Sequence, residues 1–521
     1  MTARTALNAT RRAEDLAALD AGQVVDVLVV GGGVTGAGVA MDAAARGLTV
    51  AIAEAEDLAF GTSRWSSKLV HGGLRYLANG DVGLAHESAV ERGVLMTATA
   101  PHLTRALPQL VPLHPAVSGR DAAVTFAGLL AGDGLRRAAR TPSSLLPRPR
   151  RVSAPEAMAL APGLRRAGLR GGLLSFDGQL VDDARLVVAL ARTAAGFGAR
   201  VLTQARVTGV TGTGAEIVDG LTGRAVEVRA RAVVNAAGVW AGELVPSVRL
   251  RPSRGSHLVL DGATLGAGAT ALTVPIPGAF GRFALVLPQE DGRVYVGLTD
   301  EPVDGPIPAV PTVPESDVDF LLTVASSALE RTLTRADVLG AFAGLRPLVD
   351  SPVVAADSRS ADLSRNHAVL TASNGVITVV GGKLTTYRRM AADAVDAAID
   401  AAGLAAGPSR TRAIPLVGAA PRARLSTVDA PARLVSRYGT EAATVHALGL
   451  LDPELAAPIA PGCPVTAAEV VWAVRNEGAL TPADVLHRRT RIGLVAADEA
   501  AAAPAVTALV ERTLRGLTSS V

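Results

Sequence analysis

Residues 26–56 read "DVLVVGGGVTGAGVAMDAAARGLTVAIAEAE". Asp26–Val30 is a short β-branched run stopped by glycine, the pattern of a buried strand. Val34–Arg46 carries apolar residues at helical spacing, and Gly47 fits its C-terminal stop. Leu48–Ala53 is a second β-rich run, ending at Glu54. Strand, helix and strand in this order predict a βαβ unit, and hence a doubly wound α/β domain.

The turn in this unit satisfies G-x-G-x-x-G through Gly31, Gly33 and Gly36. Gly31 permits the tight turn after the strand. Gly33 lets a pyrophosphate approach the backbone, and Gly36 allows close helix–strand packing while the helix N-terminus faces the phosphates. Glu54 lies at the spacing expected for an acceptor of ribose hydroxyls. A glycine fingerprint alone is weak evidence. With strand, helix, second strand and terminal acid all in place, it predicts dinucleotide binding. No second such fingerprint follows a strand, so one dinucleotide is expected, and periodicity does not choose between FAD and NAD.

The chain has 521 residues, which suggests two to four domains. Its 49% hydrophobic and 19% charged residues are an ordinary globular balance and exclude wholesale disorder. The net charge is +3, without a basic tail, which argues against a nucleic-acid partner. Cys463 is the single cysteine, so no intramolecular disulfide forms, in keeping with a reducing cytoplasm. The first residues lack the apolar core of a secretory signal, and no apolar run is long and uninterrupted enough to predict a spanning helix.

Further along, residues 141–155, "TPSSLLPRPRRVSAP", read as a loop or an excursion from the first domain. Residues 198–238 alternate β-rich runs with glycine turns, which predicts a small antiparallel insert and then a strand at Ala232–Asn235. Antiparallel strands are expected again from residue 251 to residue 300. After a return to strand, glycine turn and long helix near residue 380, the Ala/Leu/Arg pattern is helical to the end. Arg136, Arg137, Arg140, Arg148, Arg150 and Arg151 cluster near Leu145 and Leu146. A solvated loop is the simple reading of this cluster; contact with an anionic membrane surface is the sharper one.

Only two of the 51 basic Lys and Arg residues are lysines, each followed by leucine and each near a pair of glycines: Lys68 in "SSKLVHGGLRYL" and Lys383 in "VVGGKLTTYRR". In the first segment, Ser66 and Ser67 offer hydroxyls and backbone N–H groups to phosphate or flavin oxygens. Gly72 allows close approach to a planar ring. His71 and Arg75 are four apart and face one side if the segment turns helical. Such a pair suits an anionic alcohol, with arginine holding the anion and histidine accepting the hydroxyl proton. Alone, they read as readily as a core histidine and a surface ion pair. In the second segment a strand runs into Gly382 and a helix starts near Thr385, where its N-terminus and Lys383 favour negative charge. Arg346 in "FAGLRPLVD", His257 in "RGSHLVL" and Arg365 in "LSRNH" are individually as well explained by structure.

Taken together and in order, "DVLVVGGGVTGAGVAMDAAARGL", "SSKLVHGGLRYL", "VDDARLV", "VVNAAGVWA", "RGSHLVL", "GLRPL", "SRNH", "GGKLTTYR" and "HRRTRIGL" resemble the FAD-dependent glycerol-3-phosphate dehydrogenases over about residues 20–500. The two lysine motifs are highly specific to that family. The resemblance implies an α/β fold: a glutathione-reductase-type FAD-binding domain interrupted by an antiparallel-sheet substrate domain, plus a C-terminal helical domain. Residues 1–100, 170–245 and 340–405 would form the FAD-binding domain, 101–169 and 246–339 the substrate-side parts, and 406–521 the helical domain.

It also implies oxidation of sn-glycerol 3-phosphate to dihydroxyacetone phosphate by hydride transfer from C2 to FAD, with electrons passed to a quinone. His71, His257 and Lys383 would lie near the reacting carbinol and flavin, and which group takes the proton stays open. Arg75, Tyr76, Arg346 and Arg365 would bind substrate. Gly31, Gly33, Gly36, Glu54, Ser66, Ser67, Lys68, Gly72, Gly238, Gly382, Lys383, Leu384 and Thr385 would hold FAD. Lys68 has a second reading, as a donor to backbone carbonyls that shape the glycine loop. No metal is implied. Family members are commonly peripheral on the cytoplasmic membrane face; membrane contact and a homodimer are left open here. The rival readings are an oxidase that passes electrons to oxygen, an FAD-binding RNA-modifying protein, and an amine-oxidising relative. The near-neutral charge and the His/Arg/Lys set argue against the RNA reading. An amine oxidiser would not need several arginines facing one anion.

Overall fold

The computed structural model describes residues 2–73, 77, 80–266, 268–276, 281–350 and 367–518. The strand Val25–Val30 lies at the centre of a parallel sheet, between Val50–Ala53 and Ala225–Asn235. Arg200–Leu202 extends the sheet on one side; Ile377–Gly381 extends it on the other, with the antiparallel His367–Thr371 at the edge. Buried on both faces, the central strand has no polar side to expose, hence its unbroken valine and leucine run.

The helix Val34–Ala45 is buried along almost its whole length. Its alanines and glycines let two long helices, Asp183–Gly196 and Tyr387–Ala402, pack closely on it. Gly36 is fixed by sterics: a Cβ there would lie 1.9 Å from the Gly31 carbonyl oxygen. Gly31 itself turns the chain at φ +105°, a conformation that side chains rarely adopt.

The expected strand at Ala232–Asn235 is the second half of a longer one, Ala225–Asn235. Its first half pairs antiparallel with Gly214–Asp219, and its second half joins the central strand in parallel. The alternation of exposed and buried residues in the first half gives way to continuous burial in the second.

A second sheet stands beside the first. Ser253–Asp261 runs between Arg293–Gly297 and Val338–Arg346, and Thr104–Pro112 pairs with Gly172–Leu180. This sheet is mixed, not purely antiparallel: Ala271–Pro275 joins Thr104–Pro112 in parallel. The short strand Leu69–Val70 pairs with Gly172–Leu180, so the first lysine segment leaves the dinucleotide fold and enters the second sheet. Residues 150–152 also pair with Gly172–Leu180. The basic cluster is therefore only partly solvated. Arg136 is buried in the helix Gly119–Ala138 and bonded to Asp133, and Leu146 is buried as well.

Beyond the strand Ile377–Gly381 the regular elements are helical, and Ala467–Asn476 packs on Ala496–Thr518 over an apolar core of its own. Among the described residues no helix is long and apolar enough to cross a membrane.

Candidate functional site

A cleft of about 1560 Å³ opens between the two sheets and is lined by residues of both. Single small-molecule sites usually measure ~300–1,000 Å³, so this one has room for a dinucleotide and a second small molecule.

One wall is the glycine turn. Gly31, Gly33 and Glu54 line the cleft, while Gly36 sits behind it as a packing contact. Gly33 caps the helix Val34–Ala45 without a side chain, and the Val34 N–H meets Ser63 Oγ at 2.8 Å. A helix N-terminus left open on the cleft side is an anion-binding feature. The Glu54 carboxylate accepts from the Gly32 N–H at 2.5 Å and the Glu56 N–H at 2.9 Å. Burial, with Asp57 and Glu56 nearby, raises its pKa to about 6 despite these bonds. Gly238 lines the same wall with open space where a side chain would stand. The glycine cradle, the open helix end and the acid at the second strand's end all fit FAD. Gly31, Gly33, Glu54 and Gly238 would hold it.

The first lysine segment bridges the walls. Ser66 and Ser67 line the cleft, but Lys68 does not. Lys68 is buried, and its Nζ donates to the carbonyls of Arg64 (2.9 Å) and Ser66 (3.2 Å) and to Asp183 (2.8 Å). Burial and the nearby Arg491 pull its pKa to about 8, against the pull of Asp183. Ser66 gives both its backbone N–H and its hydroxyl to the same Asp183 carboxylate, at 2.9 and 2.7 Å. A buried ammonium needs its counter-charge held in place, and Ser66 does this. Gly72 lies off the cleft and makes its close approach to Arg92, where a Cβ would lie 2.1 Å from Nη1. His71 is half-exposed on the cleft wall, its Nδ1 3.6 Å from Asp177. Arg75 and Tyr76 lie outside the described residues, as does Arg365.

The opposite wall carries His257 and Arg346, from adjacent strands of the second sheet. His257 is 2% exposed, stacks on Phe342 with ring centroids 4.7 Å apart, and brings Nε2 to 2.8 Å from Ser67 Oγ. Burial, reinforced by the charges of Lys68 and Arg346, lowers its pKa to about 3, so it is neutral. Arg346 donates through Nη1 to Asp300 at 3.1 Å and Ser253 at 3.3 Å. Gly255 on the neighbouring strand makes room for this guanidinium: a Cβ there would lie 2.3 Å from Nη2.

Gly382, Lys383, Leu384 and Thr385 line the cleft where Ile377–Gly381 passes through a short 3-10 turn into the helix Tyr387–Ala402. Lys383 precedes that turn, and its Nζ donates to Ser88 Oγ at 2.5 Å. Gly382 takes φ +71°, and a Cβ there would strike Met390 Sδ at 2.5 Å, so a side chain is excluded twice over.

Several groups at the site had no signal in the sequence. Asp177 lines the cleft and accepts from Arg92 at 2.6 Å; burial would raise its pKa, but Arg92 and His71 outweigh this and hold it at about 2. Asp300 orients Arg346 from the irregular link that follows the strand Arg293–Gly297. Ser63 meets the fingerprint helix from a loop with no motif of its own. Each owes its position to pairing between distant segments.

A family model described as FAD dependent oxidoreductase matches residues 26–388. Residues 409–516 match a model described as the C-terminal domain of alpha-glycerophosphate oxidase. The chain is similar to glycerol-3-phosphate dehydrogenase 1 of Mycobacterium tuberculosis: 55% identical over 496 residues, 95% of this chain and 96% of that protein. A mitochondrial glycerol-3-phosphate dehydrogenase of Arabidopsis thaliana is 35% identical over 94% of this chain and 82% of its own length. Among solved structures, the glycerol-3-phosphate dehydrogenase of Bacillus halodurans complexed with FAD superposes with a TM-score of 0.73 at 26% identity, covering 98% of this chain and 97% of that one. The L-alpha-glycerophosphate oxidase of Mycoplasma pneumoniae, at 17% identity and a TM-score of 0.55, covers 76% of this chain and 99% of its own and shares the fold.

Proposed function

The chain belongs to the FAD-dependent glycerol-3-phosphate dehydrogenase family, and from that premise we propose that it oxidises sn-glycerol 3-phosphate to dihydroxyacetone phosphate and passes the electrons to a quinone. The observation that carries this reading is one cleft with a dinucleotide cradle on one wall and Arg346, His257 and Lys383 on the others. Bound FAD supplies the two-electron acceptor that the side chains lack.

The chain's residues have three tasks. Arg346, held by Asp300 and Ser253, binds the phosphate; its planar fork suits that anion. His257 is neutral and bonded to Ser67, so it positions the carbinol by hydrogen bonding and does not add charge. His71, on the more exposed wall beside Asp177, is the better placed of the two histidines to carry the hydroxyl proton towards solvent. Lys383 places a cation at a helix start, where developing negative charge is favoured. Arg75, Tyr76 and Arg365 complete the substrate set on the strength of the motifs alone.

A peripheral position on the membrane would bring the protein to a quinone acceptor, and one surface suits such a position. The helix Gly119–Ala138 contributes Thr125, Gly128 and Leu129 to the cleft, exposes Val124 and Leu130 to solvent, and ends in the exposed Arg137. Apolar residues with nearby arginines suit an anionic lipid surface. Co-sedimentation with anionic but not neutral vesicles tests this; no binding to either removes it.

The decisive experiment is anaerobic mixing of the FAD-loaded protein with sn-glycerol 3-phosphate. The flavin absorbance should bleach, and RNA, glycine or sarcosine should leave it unchanged. A second reading, an oxidase that makes peroxide, is favoured by the family model matched by residues 409–516. Reoxidation by a quinone analogue faster than by oxygen supports the dehydrogenase; the reverse order supports the oxidase.

A further inference from the structure

The motif His487–Arg491 has no place in the chemistry above, yet it makes a dense buried set of contacts with the dinucleotide-binding half. Asp57 lies three residues after Glu54 and opens the loop that runs to Lys68. Its carboxylate accepts from Arg488 Nε at 2.6 Å, Arg489 Nη1 at 2.8 Å and Arg489 Nη2 at 2.8 Å. Arg488 is tied in turn to Asp484 at 2.5 Å, and Arg489 to the Glu477 carbonyl at 2.9 Å. All three residues of the central set are at least nine-tenths buried.

The loop held this way covers the cradle. The Ala59 N–H donates to the Gly32 carbonyl at 3.0 Å, Ser63 Oγ meets the Val34 N–H, and Phe60, Gly61, Thr62 and Trp65 line the cleft. The C-terminal segment also grips the aromatic residues of the loop. The Arg488 guanidinium lies 5.6 Å from the Phe60 ring, and that of Arg491 lies 5.2 Å from the Trp65 ring. Buried ion pairs add little net stability, because desolvation cancels much of the attraction, but they fix which surfaces meet and in what register. An end-on fork of Arg489 on one carboxylate is a geometric constraint of that kind.

We propose that the C-terminal helical domain acts as a clamp on the cofactor-covering loop: Arg488 and Arg489, through Asp57, position residues 57–68 over the cradle and slow the release of FAD. These three are positioning residues. They touch neither cofactor nor substrate site, and the inference rests on FAD binding alone, not on the choice of substrate or acceptor.

The test compares the FAD-loaded full-length protein with Asp57→Asn, Arg488→Gln and Glu441→Gln. Glu441 pairs with Arg192 at 2.6 Å, another contact between the helical domain and the dinucleotide-binding half, but one remote from the loop. FAD release is read as flavin fluorescence after dilution, without substrate, and the melting temperature of each variant is read in parallel. Loss of a charge-assisted bond should make the two loop variants release FAD about tenfold faster or more. Glu441→Gln should lower the melting temperature and leave release close to wild type. Arg488→Lys, which keeps the charge but not the planar donor edge, should fall between. If Asp57→Asn does not fold, Arg488→Gln decides, since both Arg489 bonds remain. Wild-type release in the folded loop variants overturns the clamp, and so does equally fast release from Glu441→Gln. Either failure would leave anaerobic bleaching by sn-glycerol 3-phosphate intact, so the two readings fail separately.

Discussion

His257 Nε2 lies 2.8 Å from Ser67 Oγ, joining the second sheet to the loop that leaves the dinucleotide fold. The histidine is sealed between Phe342 and the cleft wall, one residue from Lys68 through that serine, and it stays neutral for that reason.

Neutrality in the fold has a consequence for acid stability. The His257 pKa is about 3 in the folded protein, against an ordinary 6.5 once unfolded. Below pH 6.5 the unfolded chain gains a proton that the folded chain does not, so stability is lost as pH falls from there towards 3. Between pH 6.5 and 5 the loss is about 2 kcal/mol for one such histidine. His102, buried and lowered to about 3 for the same reason, adds a second. The melting temperature of His257→Gln should therefore fall less than that of wild type between pH 7 and pH 5. Equal falls would show that His257 is not kept neutral.

Arg346→Ala should raise KM for sn-glycerol 3-phosphate by about 10²-fold or more, because truncating one partner of a buried charged contact costs several kcal/mol. Glycerol, which lacks the phosphate, should be affected far less. Asp300→Asn, which loosens the guanidinium without removing it, should raise the same KM to a smaller extent. Losses equal for both substrates would remove Arg346 from phosphate binding.

Lys383→Met removes a charge at the helix start and keeps most of the side-chain volume. FAD should stay bound while anaerobic bleaching slows by about 10²-fold, the usual effect of losing one preorganised electrostatic donor. Lys383→Arg should be impaired too, since the wider fork does not fit the slot against Ser88. Wild-type bleaching rates in Lys383→Met would rule out the electrostatic role.

Lys68→Met serves as the contrast. It leaves Asp183 buried without its cation, at a cost of about 3–5 kcal/mol. The expected result is a lower melting temperature and weaker FAD retention, with bleaching in the remaining loaded fraction close to wild type. A stable, FAD-replete Lys68→Met that bleaches slowly would move Lys68 into the chemistry.

The βαβ unit, the glycine cradle and the acid after the second strand are legible in the amino-acid order, because they depend on spacing within a single stretch of chain. That order also singles out both lysines, since arginine replaces lysine everywhere else in this chain. How distant segments come to share one charge or one wall depends on the folded chain. Lys68 and Lys383 look alike in sequence, each followed by leucine and near a glycine pair. The fold buries the first against Asp183, 115 residues away, and sets the second on the cleft wall beside Ser88, 295 residues away. Asp177, Asp300 and Asp57 carried no local signal. A lone aspartate gains a role only from the arginine brought opposite it, and the registers of the two sheets and the seating of the helical domain choose that arginine.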